Sequence, residues 1–238
     1  MESIKGKNIL IVGATGGIGS KTVKLLASAG ANVFIAGRNA AKLEAVGSES
    51  NIPADRQFVM DVSVGADVQR TADRVHAQIA ALDILIIASG IGIIKNIELL
   101  AAEEFMQSIQ TNLLGPFLLV KSFLPNMKAA KTGLIINIPG VLGKVPMAGA
   151  AAYSASKYGL TGMMQSIREE IKRTEIRITN LFLGGVDSSF WDTIDLRVQR
   201  DKMIAADEAA KAIWFLCQQP RSAVVSEMVL QPFNHQAI

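Results

Sequence analysis

Short apolar runs alternate with longer helical patterns along the chain, and this alternation limits the fold more than any other feature of the sequence. The predicted strands are residues 8–12, 32–36, 57–60, 84–88, 133–138, 177–183 and 227–230. The predicted helices are residues 18–29, 40–46, 64–80, 102–127, 152–173 and 207–218. Such alternation is typical of a parallel sheet that is covered by helices on both faces. The sequence therefore predicts an α/β fold with a doubly wound parallel sheet in three layers.

Length and composition fit one domain of this kind. A chain of 238 residues can bury its own core, and 50% of its residues are hydrophobic, as a sheet covered on both faces requires. No repeat, low-complexity tract or linker divides the chain, so we predict a single domain over residues 1–238. Cys217 is the only cysteine, which excludes an internal disulfide, and its apolar neighbours favour a core residue over a reactive thiol.

The charge and hydropathy patterns disfavour several classes of partner. The net charge is +3, and lysine and arginine are scattered along the chain, which disfavours a nucleic-acid groove. The longest apolar stretch, residues 84–94, is too short to span a bilayer, and the amino-terminal residues lack the apolar core of a signal peptide. We therefore expect a cytoplasmic protein with no nucleic-acid partner, no membrane partner and no metal site.

A glycine-rich segment, Gly13-Ala14-Thr15-Gly16-Gly17-Ile18-Gly19, follows the first predicted strand and opens the first predicted helix. Backbone N–H groups at a helix N-terminus bind phosphate, and glycine lets the phosphate approach closely. Two spacings fit the segment, one through Gly13, Gly17 and Gly19 and the other through Gly13, Gly16 and Gly19. The position between strand and helix favours dinucleotide binding, and with it a Rossmann-type fold, over an ordinary turn.

The ends of the next two strands carry residues that suit the adenosine half of a dinucleotide. NAD-selective proteins usually have a carboxylate after the second strand; here Gly37 leaves that space open, and Arg38 could pair with a 2′-phosphate. A solvated charge is the alternative interpretation of Arg38. After the third strand, Asp61 could accept a hydrogen bond from the adenine amine while Val62 covers the ring, but Asp61 could equally be a helix N-cap.

Tyr153 and Lys157 are four residues apart and therefore share one face of a predicted helix. A cation beside a phenol lowers the tyrosine pKa from near 10 toward neutrality, which improves its use as an acid or base. The same stripe continues through Leu160 and Met164, so core packing is the alternative interpretation. A buried lysine needs a partner, however, and a bound ribose could supply one.

Asn112 lies in the middle of the helix predicted over residues 102–127, where asparagine has poor propensity. Pro116 has no N–H, so the main-chain carbonyl of Asn112 loses its usual donor four residues later. That carbonyl is then free to hold a water molecule. A kinked helix with a purely structural role explains the same residues.

The longest connection without clear periodicity spans residues 184–205 and carries Phe190, Trp191 and Ile194 among several charges. It follows a late strand of the predicted parallel sheet, so it begins at the carboxyl edge, where ligands bind. We therefore expect a substrate lid, with a simple surface excursion as the alternative. This stretch is called the lid segment below.

Taken together, these residues resemble the short-chain dehydrogenase/reductase family in its compact single-domain branch, from Lys7 to about Pro232. The family's phosphate loop begins with Thr where this chain has Val12, and its Tyr-x-x-x-Lys is matched by Tyr153 and Lys157. The resemblance implies that Tyr153 donates a proton, that Lys157 holds the nicotinamide ribose and lowers the tyrosine pKa, and that Asn112 organises a relay water. It also implies that residues 183–188 close over the nicotinamide.

Two departures from the family pattern matter for the chemistry. Its Asn-Asn-Ala-Gly after the fourth strand is replaced by Ile87-Ala88-Ser89-Gly90. The serine that hydrogen-bonds the substrate oxygen, thirteen residues before the tyrosine, is replaced by Gly140, and loss of such a donor costs about 10²–10³ in rate. Gly140→Ser is therefore expected to raise kcat/KM on a simple diketone by about tenfold or more. Ser89 or Ser154 could also supply the missing hydroxyl.

The sequence thus predicts an NADP(H)-dependent oxidoreductase that interconverts a ketone or aldehyde and an alcohol, with NADPH preferred over NADH. The alternatives are a dinucleotide-binding sensor or scaffold that has lost turnover, and other chemistry on the same fold, such as epimerisation or dehydration. Expected partners are a small carbonyl or alcohol substrate and further copies of the chain, in a homodimer or homotetramer formed through the helices that bear Asn112 and Tyr153. The candidate catalytic residues are Asn112, Tyr153 and Lys157. The candidate cofactor contacts are Gly13, Thr15, Gly17, Ile18, Gly19, Arg38, Asp61, Val62, Ser89, Gly90, Tyr153, Lys157, Gly184, Val186 and Ser188.

Overall fold

Strands and helices alternate in the computed structural model, which describes residues 1–234. The strands are β1 (Asn8–Val12), β2 (Asn32–Gly37), β3 (Gln57–Val59), β4 (Ile84–Ile87), β5 (Gly133–Asn137), β6 (Ile176–Leu183), β7 (Val186–Asp187), β8 (Ile204–Ala205) and β9 (Glu227–Leu230). The helices are α1 (Gly17–Ser28), α2 (Ala40–Glu49), α3 (Gly65–His76), α4 (Ala102–Ile109), α5 (Gly115–Ala130), α6 (Ala151–Ile171) and α7 (Ala206–Cys217). Within residues 1–234, no helix is both long and apolar enough to cross a membrane.

Seven of these strands form one parallel sheet in the order β3-β2-β1-β4-β5-β6-β9. The first strand lies between β2 and β4, and Val12 pairs with Ala36 on one side and with Ile87 on the other. Strand order therefore reverses next to β1, which is the point where parallel sheets of this type leave a crevice at their carboxyl edge. The predicted Rossmann-type fold is confirmed, and each predicted strand is present with its ends shifted by at most one residue.

Each face of the sheet is covered by helices, because the side chains of the central strands are apolar on both faces. Ile9 and Ile11 pack in the cluster with α1, α2 and α7, while Leu10 and Val12 pack in the cluster with α3, α5 and α6. All four are at most 1% exposed. Cys217 is buried in the first cluster, where burial raises the pKa of its thiol to about 12.

The helix predicted over residues 102–127 is interrupted. It consists of α4 and α5, joined by one π-helical turn at Gln110–Leu114. The Gly115 N–H donates to the carbonyl of Gln110, five residues earlier, and Pro116 offers no N–H to Asn112. The missing donor thus coincides with a widened turn centred on Asn112, a local change that a helical periodicity does not reveal.

The lid segment is more ordered than the sequence suggests. Strands β7 and β8 pair in parallel within it, and short 3₁₀ turns occupy Ser189–Thr193 and Arg200–Lys202. Trp191 donates from Nε1 to the carbonyl of Val186 at 2.9 Å, which fixes the first turn against β7. The segment therefore has its own hydrogen-bonded framework.

Candidate active site

The loops that follow β1, β4, β5 and β6 meet at the carboxyl edge of the sheet and enclose a cavity of about 890 Å³. This volume is within the range of sites for small molecules and cofactors. The candidate residues that line it are Gly17, Ile18, Gly19, Ser89, Gly90, Tyr153, Lys157, Gly184, Val186 and Ser188. The candidates that lie outside its wall are Gly13, Thr15, Arg38, Asp61, Val62 and Asn112.

The glycine-rich turn after β1 is closely packed, and the packing distinguishes its two possible spacings. Gly13 has a φ of +86°, and a Cβ there would lie 2.5 Å from the N atom of Ser89. A Cβ at Gly19 would lie 2.1 Å from the Gly13 carbonyl, and one at Gly17 would lie 2.6 Å from the Ser188 Cβ. A Cβ at Gly16 would make an ordinary contact at 3.4 Å. Steric need for glycine therefore follows the spacing through Gly13, Gly17 and Gly19.

The N-terminus of α1 faces the same cavity. Its N-cap is Gly16, which has no side chain to accept from the first backbone N–H groups. Gly16, Gly17 and Ile18 line the cavity wall. Because the first N–H groups of a helix have no partner within the helix, this wall offers donors to an anion.

The residues after β2 and β3 lie at the same edge of the sheet. A Cβ on Gly37 would lie 3.1 Å from Thr15 Cγ2, so the space that the sequence suggested was open is filled by Thr15. Arg38 is exposed, and within residues 1–234 its guanidinium forms no ion pair. The end of β2 therefore presents one unpaired cation.

Asp61 is not a helix N-cap, because α3 begins at Gly65 with Val64 in the capping position. Its Oδ1 instead accepts from the N–H and the hydroxyl of Ser63, at 2.9 and 2.6 Å. Val62 is buried and packs against Gly115, where a Cβ would lie 2.8 Å from Val62 Cγ2. The turn after β3 is thus held by its own side chains.

Tyr153 and Lys157 face the cavity from one side of α6. Lys157 Nζ lies 5.5 Å from the centre of the Tyr153 ring, and it donates to the Ile138 carbonyl at 3.0 Å. A Cβ on Gly90 would lie 3.5 Å from Lys157 Nζ and 3.2 Å from Asn112 Oδ1. Lys157 and Asn112 therefore converge on the backbone of Gly90, in the loop after β4.

Burial shifts the pKa values of both α6 groups, and the shift of Tyr153 is opposite to the sequence-based expectation. The ring of Tyr153 is half-buried, and burial around its hydroxyl raises the tyrosine pKa well above the usual value of 10. Burial also lowers the pKa of the Lys157 ammonium to about 8. Desolvation disfavours the charged form of each group, so both shifts have the same cause.

The Asn112 side chain joins the loop after β4 to α6. Its Oδ1 accepts from the Ile91 N–H at 2.9 Å, and its Nδ2 donates to the Ile91 carbonyl at 3.0 Å and to Ser156 Oγ at 3.1 Å. Ser156 in turn donates to the carbonyl of Tyr153 at 2.7 Å. Asn112 is completely buried and lies within the π turn, so its side chain holds the loop after β4 against α6.

Gly140, where the family pattern has serine, lies in the wall of the cavity with φ +71° and ψ 169°. Only glycine adopts this region readily. A Cβ there would contact the Leu183 carbonyl at 3.4 Å. The backbone at this position is therefore shaped for glycine, which changes the expected effect of adding a serine.

Two nearby hydroxyls differ in where they lie. Within residues 1–234, Ser89 Oγ and Ser154 Oγ are both buried and have no hydrogen-bond partner. Ser89 lines the cavity, while Ser154 does not. An unpaired buried hydroxyl costs free energy, so a ligand that reached Ser89 would find a donor and acceptor without a competing partner.

The lid segment packs over the cavity with its aromatic residues. The Phe190 ring lies 5.8 Å from the Tyr153 ring and 5.3 Å from the Trp191 ring. A Cβ on Gly92 would lie 2.3 Å from Phe190 Cζ. Phe190 is therefore seated between the loop after β4 and the phenol of α6.

Sequence reasoning missed several residues around this cavity. Ser156 follows Tyr153 by three residues, so its place beside Asn112 could have been suspected from the helix alone. Lys144 forms an ion pair with Glu227 at 2.5 Å and lies 4.4 Å from the centre of the Phe182 ring. This contact joins the turn after β5 to β9 across 83 residues of sequence, and no local pattern could have found it.

Comparison with known proteins identifies a family for this chain. The family model described as short chain dehydrogenase matches residues 7–198. An uncharacterised oxidoreductase of Staphylococcus epidermidis is 27% identical over 232 residues, covering 98% of this chain and 100% of the relative.

Two solved structures share the fold over nearly the whole chain. A metagenomic short-chain oxidoreductase in complex with NADP has a TM-score of 0.82 and 30% identity, covering 98% of this chain and 100% of that chain. An alcohol dehydrogenase from the archaeon Thermococcus sibiricus, complexed with 5-hydroxy-NADP, has a TM-score of 0.88 and 24% identity, again covering 98% and 100%.

Proposed function

Because the chain belongs to the short-chain dehydrogenase family, we propose that it is an NADP(H)-dependent oxidoreductase that interconverts a ketone or aldehyde and the corresponding alcohol. The observation that carries this proposal is the arrangement of Tyr153 and Lys157 in the wall of one cavity at the carboxyl edge, with the buried Asn112 side chain next to Gly90 of the same wall. A proton donor and a nearby cation are protein groups that carbonyl reduction by hydride transfer uses.

The cavity has features that fit a dinucleotide. The uncapped N-terminus of α1 suits a diphosphate, and glycine at position 17 is required because Ser188 occupies the space of a side chain. The Ser89 hydroxyl, which has no hydrogen-bond partner within residues 1–234, and the backbone of Gly90 would contact the nicotinamide riboside half of the dinucleotide. Gly13 and Gly19 pack against each other and so fix the shape of the turn. Gly184, Val186 and Ser188 would close over the nicotinamide.

The edge beyond the cavity suits the adenosine half and favours NADPH. Arg38 is an exposed cation without an ion-pair partner within residues 1–234, and it would pair with the 2′-phosphate. Thr15 fills the space beside Gly37 where an NAD-selective carboxylate would need room. Asp61 retains an oxygen for the adenine amine, since both bonds from Ser63 go to Oδ1, and Val62 would lie under the ring.

Bound NADPH would supply the hydride, and the protein supplies the proton and the geometry. The raised pKa keeps the Tyr153 phenol protonated at neutral pH, which is the form that donates to a carbonyl oxygen during reduction. Lys157 would bind the ribose hydroxyls and stabilise the tyrosinate as it forms. Pro116 has no N–H to donate to the main-chain carbonyl of Asn112. That carbonyl would hold the water through which Tyr153 is reprotonated.

The lid segment and the helical surface complete the proposal. Phe190 and Trp191 would cover the substrate, so residues 184–205 would act as a lid. The single catalytic domain of residues 1–238 would work in the cytoplasm. The chain would form a homodimer or homotetramer through the helices that bear Asn112 and Tyr153. Gly162 on α6 is open to solvent and permits close approach, whereas Gly159 already packs against Leu113 of the same chain.

A direct test follows NADPH absorbance while the purified protein is offered a panel of ketones and aldehydes. We expect carbonyl-dependent oxidation that Tyr153→Phe abolishes while its NADPH dissociation constant stays within about threefold, since only the proton donor is lost. Lys157→Ala should impair both turnover and cofactor binding. A Tyr153→Phe protein with wild-type turnover would contradict the assignment of the proton donor.

A second candidate function is dinucleotide binding without useful turnover, as a sensor or scaffold. The observation that favours it is Gly140, because neither Pro139 nor Gly140 carries a hydroxyl to polarise the substrate oxygen. A folded protein that binds NADPH yet oxidises it with no carbonyl of the panel would support this second function and reject the first.

A further inference from the structure

We propose that the substrate of this site is an apolar carbonyl compound that also carries an anionic group, and that Arg197 and Lys202 of the lid segment bind that group. This inference rests on the proposed function and narrows it to a substrate class.

The cavity wall contains cations but no carboxylate. Lys157, Arg197 and Lys202 line it, and no aspartate or glutamate of residues 1–234 does so. Lys157 already donates to the Ile138 carbonyl deep in the site. The other two are exposed at the wall of the cavity, where their charge acts on whatever occupies it.

The charged residues of the lid segment differ by sign in whether they line the cavity. Arg200 is neutralised by ion pairs with Asp187 and Asp192, and none of these three residues lines the cavity. Asp195 and Asp201 are exposed and also lie outside the cavity wall. The carboxylates of the lid segment therefore point no charge into the site, whereas two of its cations border it.

Arg197 and Lys202 have no ion-pair partner among residues 1–234. An unpaired arginine beside a partly enclosed cavity is suited to a carboxylate, which it can bind through two hydrogen bonds. The cofactor diphosphate has a separate set of donors at the N-terminus of α1. The two lid cations are thus available to an anion of the substrate.

Much of the remaining wall is apolar. It includes Val141, Leu142, Val145 and Met147 from the segment after β5 and Phe190 and Trp191 from the lid segment, whose polar side chains in the wall are Ser188, Ser189, Thr193 and Gln199. Apolar walls with few placed polar groups select a hydrophobic body and leave orientation to the charged contact. An aryl or alkyl keto acid has both parts.

The test is isothermal titration of the protein, with and without saturating NADP⁺, by 4-oxo-4-phenylbutanoate and by its neutral primary amide. NADP⁺ cannot reduce the ketone, so binding is measured without turnover. We expect the carboxylate to bind at least tenfold more tightly than the amide, with an affinity that falls as sodium chloride increases. Equal affinities in the wild-type protein, or no binding of either compound, would overturn the proposal.

Variants locate the anion contact. Arg197→Gln and Lys202→Gln should each reduce the carboxylate-to-amide ratio at least threefold, while Lys211→Gln, which removes an exposed cation on α7, should leave the ratio as it is. If the lid variants weaken NADP⁺ binding but keep the ratio, the cations serve the cofactor and the inference is wrong. Failure of carbonyl reduction with this ratio intact would reject the proposed turnover instead. The wild-type ratio and its salt dependence decide the matter if a variant does not fold.

Discussion

Gly17 and Ser188 are in such close contact that a Cβ placed on Gly17 would lie 2.6 Å from the Ser188 Cβ and 3.3 Å from its Cα. The contact joins the first turn of α1 to the start of the lid segment. Both residues line the cavity, so the glycine-rich turn and the lid segment are positioned by each other.

Gly17→Ala should lower the free energy of unfolding by about 1–3 kcal/mol and weaken NADPH binding. The new Cβ would meet Ser188 Cβ and Cα, which cannot rotate away as the end of a long side chain could. The double variant Gly17→Ala/Ser188→Gly should recover part of both losses. Gly16→Ala is the matched control for stability, since its Cβ would make only an ordinary contact at 3.4 Å. Chemical denaturation and cofactor titration measure the two effects, and a Gly17→Ala protein as stable as Gly16→Ala would disprove the contact.

The cation after β2 should select the cofactor. We expect NADPH to bind at least tenfold more tightly than NADH, about 1.4 kcal/mol, and Arg38→Gln to remove this preference by weakening NADPH alone. Lys42→Gln removes an equal charge from an exposed site in the first turn of α2 and should keep the preference. Fluorescence titration with both cofactors gives the four affinities. Equal wild-type affinities would exclude Arg38 from the site.

The two unpartnered serine hydroxyls offer another matched pair. Ser89→Ala should weaken NADPH binding at least threefold, because Ser89 lines the cavity, whereas Ser154→Ala should leave it unchanged. Both variants remove a buried hydroxyl without a partner, so their effects on stability should be similar and small. If the two proteins bind NADPH equally, then the Ser89 hydroxyl does not contact the cofactor.

Most of the fold could be predicted from the sequence, because apolar strand and helix patterns are local. Strands such as β1 were predicted to the residue, since a fully apolar run between a polar start and glycine has few other structures available. The π turn at Asn112 could not be predicted from local patterns of this kind. A missing donor at Pro116 indicates that a bond is lost, but tertiary packing decides whether the helix kinks, ends or widens there.

The site could be predicted only where its residues share a local motif. Tyr153 and Lys157 lie together because α6 places them one turn apart, but the sign of the tyrosine pKa shift depends on how deeply other elements bury it. Thr15 beside Gly37, and Lys144 beside Glu227, are contacts between elements distant in sequence. No spacing rule reports them.

The buried ammonium of Lys157 should make stability depend on pH. Its pKa is about 8 in the folded protein against an ordinary 10.5, so between these values the unfolded chain binds more protons and stability rises with pH. The difference between these two pKa values corresponds to about 3 kcal/mol of unfolding free energy. Relative to Lys157→Met, the wild-type protein should therefore gain stability from pH 8 to 10.5 and show no relative change below pH 7. Urea unfolding of both proteins without cofactor measures this, and a constant difference would contradict the burial cost.

Gly140 is the position where the structure most changes the sequence-based expectation. With φ at +71° and ψ at 169°, a serine or alanine there would be strained by about 1–3 kcal/mol. Gly140→Ala and Gly140→Ser should each lower the unfolding free energy by this amount. Gly162→Ala on α6, where a Cβ meets nothing within 4 Å, should instead raise it by up to about 1 kcal/mol.

The same geometry predicts the catalytic effect of Gly140→Ser. Its Cβ would lie 3.4 Å from the Leu183 carbonyl, which is the nearest acceptor for the new hydroxyl. We therefore expect the folded variant to show no increase in kcat/KM on a simple diketone, in place of the tenfold gain that the family pattern alone suggests. Steady-state kinetics at a temperature well below the melting point of the variant measure this. A tenfold or larger increase would show that the hydroxyl reaches the substrate oxygen and that the backbone at Gly140 relaxes to allow it.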